Sequence, residues 1–484
     1  MTDAVLPVEA TLASLPPKPS PTLRAATRAS LSSSSSSSSS ANAPLLIVLD
    51  DDPTGTQTCH DIHILTAWDV PRLVAEFKAT PPGSGFFLLT NSRALHPAPA
   101  RALITEICTN LQEAERQTGL RFEVVLRSDS TLRGHFPLEA DASEDVLGPA
   151  DAWILCPFFL QGGRYTIGNV HYVQEGANLV PAAQTPFARD ATFGYTKSDL
   201  CAHVVEKAKG AIKEEQVSAV SLDTIRNGGA QAVLQQIQST IQSTKRPVIV
   251  INAAADEDVD VVVEALLTAS AAGTRFLYRT GAAFVSARLA IEGIPPVSAQ
   301  KLGLSGAVGG LIIAGSYVPK TTAQLAVLRE RSGAHLTTVV LDVRRLLSDP
   351  DPEIRHALET ASGEIARGQD VLIMTSRELV LGADEARSLD IGATVARALV
   401  SFLQRLETKP RYVVAKGGIT SSDMATQGLR FKRALIVGQA APGVPLWRCD
   451  EPEAKWPGLP YVVFPGNVGS EETLFDVVHG WRVS

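Results

Sequence analysis

The sequence predicts an α/β protein of two domains with mostly parallel sheets, and three observations predict it. Short apolar, β-branched runs recur from Leu45 onward, and they are apolar at consecutive positions, as strands buried on both faces are. Segments with apolar residues at helical spacing separate them. The 484 residues, 45% hydrophobic and 20% charged, suffice for two large cores and exclude wholesale disorder or a coiled coil.

Residues 1–43 come first, rich in Pro, Ser and Ala, with an uninterrupted serine run from Ser32 to Ser40. Such a composition buries too little apolar surface to offset ordering entropy, so a disordered tail is expected there. The first series of runs follows: LLIVLDD (45–51), GFFLLTNS (85–92), FEVVLRSD (122–129), AWILCPF (152–158) and PVIVINAA (247–254), with Pro97 to Thr118 a clear helical pattern among them. An Ala-rich helical stretch near Gly281 to Glu292, then Ile294-Pro295-Pro296 and the Gly-rich 303–310, mark a boundary, giving a first domain over 44–297. The second series, GGLIIAGS (309–316), LTTVVLDV (336–343), DVLIMTS (370–376), RYVVAKGG (411–418) and YVVFPGN (461–467), gives a second domain over 298–484. Two such domains are expected to face one another across a cleft.

Composition narrows the partners. With 44 Lys+Arg against 51 Asp+Glu, the net charge of −7 offers no electrostatic case for nucleic acid or an anionic membrane, so an anionic substrate needs a local basic pocket. Cys59, Cys108, Cys156, Cys201 and Cys449 lie far apart and form no CxxC pair, which fits a reducing compartment. No run approaches the ~18 apolar residues of a membrane span, and the cytosol is the expected location. Assembly of identical chains is left open.

In a parallel sheet ligands bind beyond the carboxyl ends of strands, so the residues after each run carry the chemistry. The first run ends in Asp50-Asp51-Asp52-Pro53-Thr54-Gly55-Thr56, adjacent carboxylates whose mutual repulsion favours a use for them; a capped polar turn is the bland alternative. Arg93 follows the second run, Arg127 to His135 the third with Asp129 and Arg133, and Gly162-Gly163-Arg164 a later one. Arg93, Arg133 and Arg164 can converge on a carboxylate or phosphate, whose oxygens match the guanidinium fork, or each can form an ordinary ion pair. His135 and His171 lack ligand spacing and read as core or surface histidines.

The second domain offers glycine and hydroxyl groups instead: Gly315-Ser316, Gly417-Gly418-Ile419-Thr420 and Gly466-Asn467 each follow a strand. Glycines allow close backbone approach, and free N–H groups at a helix start favour phosphate oxygens, which suggests a nucleotide polyphosphate. Neither GxxxxGK[ST] nor GxGxxG is present. Asp50-x-Asp52-x-Thr54 also resembles the nucleophile signature of haloacid-dehalogenase-like phosphatases, with Asp256-Glu257-Asp258 as a metal site, but that reading gives the glycine-rich domain no task. A non-catalytic sugar-acid sensor is the third alternative.

At these residues the sequence resembles the four-carbon acid sugar kinase family. The matching stretches are DDPTGT (51–56), TNSRAL (90–95), DSTLRGH (129–135), GGRYTIGNVHYV (162–173), RDATFGYTKSDL (189–200), AGSYVPKTTAQL (314–325), KGGITSSD (416–423) and PGNVGSEETL (465–474), in order over most of the chain after the tail. The resemblance implies a sugar-acid-binding first domain and a nucleotide-binding second domain. It implies Asp51, Asp52, Arg93, Asp129, Arg133 and Arg164 on the sugar-acid side, with Asp51 or Asp129 as general base, and Ser316, Gly417, Gly418, Ile419, Thr420 and Gly466 at ATP. ATP and Mg²⁺ are the implied cofactors, and the product is the 4-phosphate of a tetronate or 3-oxo-tetronate. Pro53, where a small apolar residue is usual, and Thr56, where Ala is common, depart from the pattern, as do the serine-rich tail and the lengthened 449–460 segment.

Overall fold

The computed structural model describes residues 4–33, 43–306, 308–315, 318–376 and 385–482. The chain divides into two compact units, Met1–Cys59 with Ala67–Gly293, and His60–Thr66 with Ile294–Ser484.

In the first unit a parallel sheet runs in the order Val217–Val220, Val248–Ile251, Ala152–Cys156, Phe276–Thr280, Phe122–Arg127, Leu45–Asp50, Gly85–Leu89. Every residue of Leu45–Asp50 and Gly85–Leu89 is buried, which is why these runs carry no polar alternation. The register sets Asp50 beside Leu89 and Arg127, and Arg127 beside Thr280, so these strands end level. From Leu45–Asp50 the chain moves to Gly85–Leu89 on one side and then to Phe122–Arg127 on the other. That reversal of winding opens a crevice at the carboxyl end of Leu45–Asp50.

A small antiparallel sheet in the same unit orders Leu6–Pro7, Asn178–Pro181, Val170–Glu175 and Arg164–Ile167. Its first strand corrects the expected disordered tail over 1–43: residues 4–33 are folded, with helices Val8–Ala13 and Leu23–Ser33. Polar anchoring does what apolar burial could not. Arg24 Nε donates to Asp260 Oδ1 at 2.8 Å, Arg28 Nη2 to the Ala290 carbonyl at 2.7 Å, and Arg226 Nη1 to the Pro16 carbonyl at 2.7 Å. The serine run from position 34 lies outside the described residues.

The second unit orders parallel strands Leu336–Leu341, Asp370–Thr375, Leu311–Ala314, Val413–Lys416 and Pro460–Phe464, followed by antiparallel Val444–Arg448, Arg433–Ala441 and Ile62–Leu65. Ile62–Leu65 is an excursion that the reading of 44–297 as one domain had not anticipated. Its pairing with Arg433–Ala441, and the bond from Asp61 N–H to the Ile436 carbonyl at 2.8 Å, place it here. The division falls after Gly293 rather than after 297, because Val297 donates to the Gln439 carbonyl at 2.7 Å and belongs to the core with Ile312, Leu372, Val414 and Val462. Ala314, Lys416 and Phe464 are in register across three adjacent strands. The winding reverses between Leu311–Ala314 and Val413–Lys416, a second switch point. Among the described residues, no helix is long and apolar enough to cross a membrane.

Candidate functional site

The first unit gathers its acid and basic side chains at its switch point. Asp50 is fully buried, and its Oδ1 accepts from Arg127 Nη1 at 2.9 Å. The chain folds back so tightly over this carboxylate that a Cβ on Gly55 would lie 2.1 Å from Oδ1. Burial pushes Asp50 up to about 7, against the pull of Arg127. A carboxylate so enclosed is a scaffold for Arg127 rather than an exposed nucleophile, which corrects the phosphatase alternative. Asp258, drafted there for metal, instead pairs with Arg226 at 2.7 Å and accepts the N–H groups of Ala254 and Ala255 at 2.8 and 2.9 Å, closing a helix start.

Asp51 shares with Asp50 a buried, unpartnered carboxylate oxygen but lies near two arginines, where Asp50 pairs with Arg127. Asp51 Oδ1 lies 3.4 Å from Arg127 Nη1 and 3.8 Å from Arg93 Nη1, while its buried Oδ2 has no hydrogen-bond partner among the described residues. Burial pushes its carboxyl up to about 6, with Arg93 and Arg127 opposing. For Asp52 burial acts upward too, but Arg93, Arg127 and Thr54 outweigh it and hold the carboxyl below its ordinary range. Asp52 binds Arg93 Nη2 and the Thr54 hydroxyl, and accepts Thr54 N–H at 2.9 Å.

Arg93 links this turn to the next strand end, with Nη1 3.7 Å from Asp129 Oδ1. Asp129 accepts from Arg133 Nε at 2.6 Å and from the Thr131 hydroxyl; burial raises its proton affinity, but Arg133 and Arg93 more than reverse that. Arg133 also lies 3.8 Å from Asp190. The guanidinium groups of Arg133 and Arg164 stand 5.2 and 5.7 Å from the Phe187 ring centroid. Arg164 Nε is buried without a hydrogen-bond partner among the described residues, and burial lowers the pKa of this guanidinium. The structure thus brings Asp51, Asp52, Arg93, Asp129 and Arg133 into one cluster, with Arg164 sharing Phe187 with Arg133.

His135 and His171 are both buried, as core histidines are: His135 Nε2 meets the Leu95 carbonyl at 2.9 Å, and His171 Nε2 the Ser130 carbonyl at 2.8 Å. Sequence reasoning left Arg127, Glu139 and Arg279 out of the site. Arg127 and Arg279 close the apolar runs 122–127 and 276–280, so the rule of reading strand ends could have found them; Glu139 lies on a helix and had no such signal.

In the second unit the level strand ends lead directly into Gly315, Gly417 and Pro465-Gly466. Gly417 has φ 109°, a conformation that favours glycine, and opens the helix Gly418–Asp423. A Cβ on Gly315 would stand 3.0 Å from Thr420 Oγ1, so these two turns approach closely. Thr321, in the first turn of helix Pro319–Ser332, donates to the Gly466 carbonyl at 3.1 Å. Ile419 is 64% exposed. Ser316 lies outside the described residues. Beside these turns Lys416, missed in the sequence, is buried with its ammonium bonded to the Pro465 carbonyl and 4.2 Å over the Phe464 ring. Burial and then Lys320 push it down to about 7, and no carboxylate pairs with it among the described residues. Close-approach glycines, a helix start and an uncompensated buried cation together fit polyphosphate chemistry.

Comparison with known proteins agrees with this division. A family model described as a sugar-binding N-terminal domain matches residues 46–288, and one described as a nucleotide-binding C-terminal domain matches residues 311–474. A D-erythronate kinase of Heliobacterium modesticaldum (strain ATCC 51547 / Ice1) is 29% identical over 278 residues, 57% of this chain and 57% of that protein. The match therefore spans little more than half of the curated relative's length. Among solved structures, a Haemophilus influenzae protein aligns with TM-score 0.61 at 17% identity, covering 90% of this chain and 100% of that one. A Salmonella typhimurium LT2 protein aligns with TM-score 0.66 at 18% identity, covering 89% and 97%. These two likenesses establish a shared fold. With both family models matched in order over its two units, the chain belongs to the four-carbon acid sugar kinase family, whose members join a sugar-binding N-terminal domain to a nucleotide-binding C-terminal domain.

Proposed function

We propose that this protein is an ATP-dependent kinase that phosphorylates the terminal hydroxyl of a four-carbon acid sugar, a tetronate or 3-oxo-tetronate, to the 4-phosphate. One observation carries the reading: at the switch point of the sugar-binding unit, Asp51 keeps one carboxylate oxygen unpartnered inside a ring of arginines. Family membership and the similarity to a D-erythronate kinase support the substrate class.

Of the two aspartates the resemblance left open, Asp51 suits the general base. Its carboxyl, pushed up to about 6, is ionised at neutral pH yet basic enough to take a proton, whereas Asp129 is committed to Arg133 and Arg93. In the proposed reaction Asp51 takes the C4 hydroxyl proton as that oxygen bonds the γ-phosphorus, and ADP leaves. Asp52 and Asp129 hold Arg93 and Arg133 in place, and Arg93, Arg133 and Arg164 serve the substrate carboxylate. The turns at Gly417 to Thr420 and Gly466, together with Ser316, which the resemblance assigns to ATP, hold the triphosphate of ATP, which supplies the phosphoryl group. Mg²⁺ would accompany ATP and help neutralise the charge of its phosphates. Transfer requires the two substrates to meet with water excluded, since phosphoryl transfer is mainly positioning and charge neutralisation.

The test is ATP consumption coupled to a panel of tetronates and 3-oxo-tetronates, run beside a generic phosphate ester. ADP formation dependent on one acid supports the kinase; tight binding of the acid without turnover supports the sensor instead. Asp51→Asn is expected to abolish turnover and leave ATP binding intact, and loss of ATP binding in that variant would mean the site is misplaced.

A further inference from the structure

Arg279 is a buried cation of the first unit that the proposed reaction does not use. It stands in the central strand Phe276–Thr280, between Ala152–Cys156 and Phe122–Arg127, and is 8% exposed. Its nearest carboxylate is loosely held: Arg279 Nη1 lies 3.5 Å from Glu139 Oε2, while the guanidinium carbon sits 5.2 Å over the Phe136 ring. Glu139 is itself buried and accepts from the Ser92 hydroxyl, one residue before Arg93.

The other side of Arg279 faces the proposed base. Gly134 has φ +126°, and a Cβ built there would lie 3.1 Å from Asp51 Oδ2 and 3.2 Å from Arg279 Nη2. The missing side chain therefore leaves a small gap flanked by the unpartnered carboxylate oxygen and a guanidinium nitrogen. Burial lowers the Arg279 pKa, while Glu139, then Asp51 and Asp129, favour its charged form through space.

We propose that Arg279 is a positioning residue of the sugar-acid site: across the gap at Gly134 it lends its charge to the free oxygen of Asp51 and fixes where the substrate hydroxyl meets that oxygen, while Glu139 attenuates it. This rests on the assignment of Asp51 as base.

Asp51 feels charge from several elements. Arg93 and Arg127 flank its other oxygen; Asp50 and Asp52 adjoin it; Glu139 acts from the helix Leu138–Leu147. His135 also feels the Asp51 charge, although burial, the larger effect, lowers the pKa of that histidine. The two members of the Arg279–Glu139 pair therefore act on Asp51 with opposite signs. A merely structural pair behaves otherwise, since removing either partner disturbs the site in the same sense.

The experiment titrates the Asp51 carboxyl by ¹³C NMR in aspartate-labelled full-length protein, with Asp51→Asn identifying the resonance. Arg279→Met is expected to raise the midpoint by about one pH unit, because a cation close to a carboxylate typically shifts it by one to three. Glu139→Gln is expected to lower it, and Arg279→Lys to restore most of the wild-type value. Where turnover is measured, the acidic limb of kcat/KM should move with the midpoint. Shifts of the same sign in Arg279→Met and Glu139→Gln, or none in Arg279→Met, overturn the proposal. If Arg279→Met does not fold, Glu139→Gln decides alone, an upward or absent shift refuting it. A wild-type protein that forms no ATP-dependent product defeats the kinase reading, while the carboxyl titration still decides the role of Arg279.

Discussion

Gly55→Ala tests how tightly the first turn is built. The added methyl would sit 2.1 Å from Asp50 Oδ1, 2.2 Å from Oδ2 and 2.4 Å from Cγ, so the carboxylate must retreat by about 1.3 Å to reach ordinary contact. Nothing flexible absorbs that movement. Asp50 is fully buried, Arg127 is 5% exposed, and the 2.9 Å bond between them is the contact that breaks. Breaking a buried pair by stranding one partner costs about 3–5 kcal/mol. Asp50, pushed up to about 7, can escape part of this by protonating, and Arg127 retains Asp51 at 3.4 Å, so the expected loss is at the lower end, about 3 kcal/mol. At about 2–4 °C per kcal/mol for a unit of this size, the melting temperature of the first unit should fall by about 6–12 °C, and by less at pH 6 than at pH 8. Differential scanning calorimetry of Gly55→Ala, Asp50→Ala and the double variant measures it. Because Asp50→Ala removes the atoms the methyl strikes, the double variant should melt no lower than Asp50→Ala alone. A Gly55→Ala protein within 2 °C of wild type, or a double variant that loses the sum of the two, refutes the argument.

The remaining predictions concern stability elsewhere in the same unit. Arg24→Met removes the partner of Asp260, whose side chain is 6% exposed, and should cost about 2–3 kcal/mol; an unchanged melting temperature would mean the N-terminal helices contribute nothing to the fold. Burial pushes His171 down to about 4 and His203 to about 3, so both are neutral in the folded protein. A folded-state value below the unfolded ~6.5 gives stability that is fully present above pH 6.5 and is lost as pH falls toward 4 and 3, amounting to about 2 kcal/mol per histidine at pH 5. Urea melts at pH 7 and pH 5 on wild type and His203→Gln should show a shallower pH dependence in the variant, and equal slopes would contradict this.

The fold was legible because its strands are buried on both faces: LLIVLD and GFFLL can be little else, and each is wholly buried. What stayed hidden was carried by polar anchoring rather than by apolar pattern. The tail helix Leu23–Ser33 has the composition of a disordered segment, yet Arg24 and Arg28 dock it on Asp260 and the Ala290 carbonyl, far away in sequence. Ile62–Leu65 has a strand's composition, but no local signal tells a four-residue strand which sheet to join; its partner, Arg433–Ala441, lies far along the chain.

The site shows a sharper limit. Asp50, Asp51 and Asp52 are adjacent and chemically identical in sequence, and only the fold separates them. Gly55 and Arg127 enclose the first, Arg93 and Thr54 hold the third, and the middle one lies between Arg93 and Arg127. A strand alternates its side chains, so three consecutive residues at a strand end cannot share one environment. The run of carboxylates therefore announces a site, but the assignment of roles within it waits on which arginine each one meets. Those arginines come from strand ends that only the switch-point topology brings together, with Arg93 following Gly85–Leu89 and Arg127 closing Phe122–Arg127 on opposite sides of Leu45–Asp50. Fixed charges disposed in this way around Asp51 would spare the proposed reaction the reorganisation that water would demand.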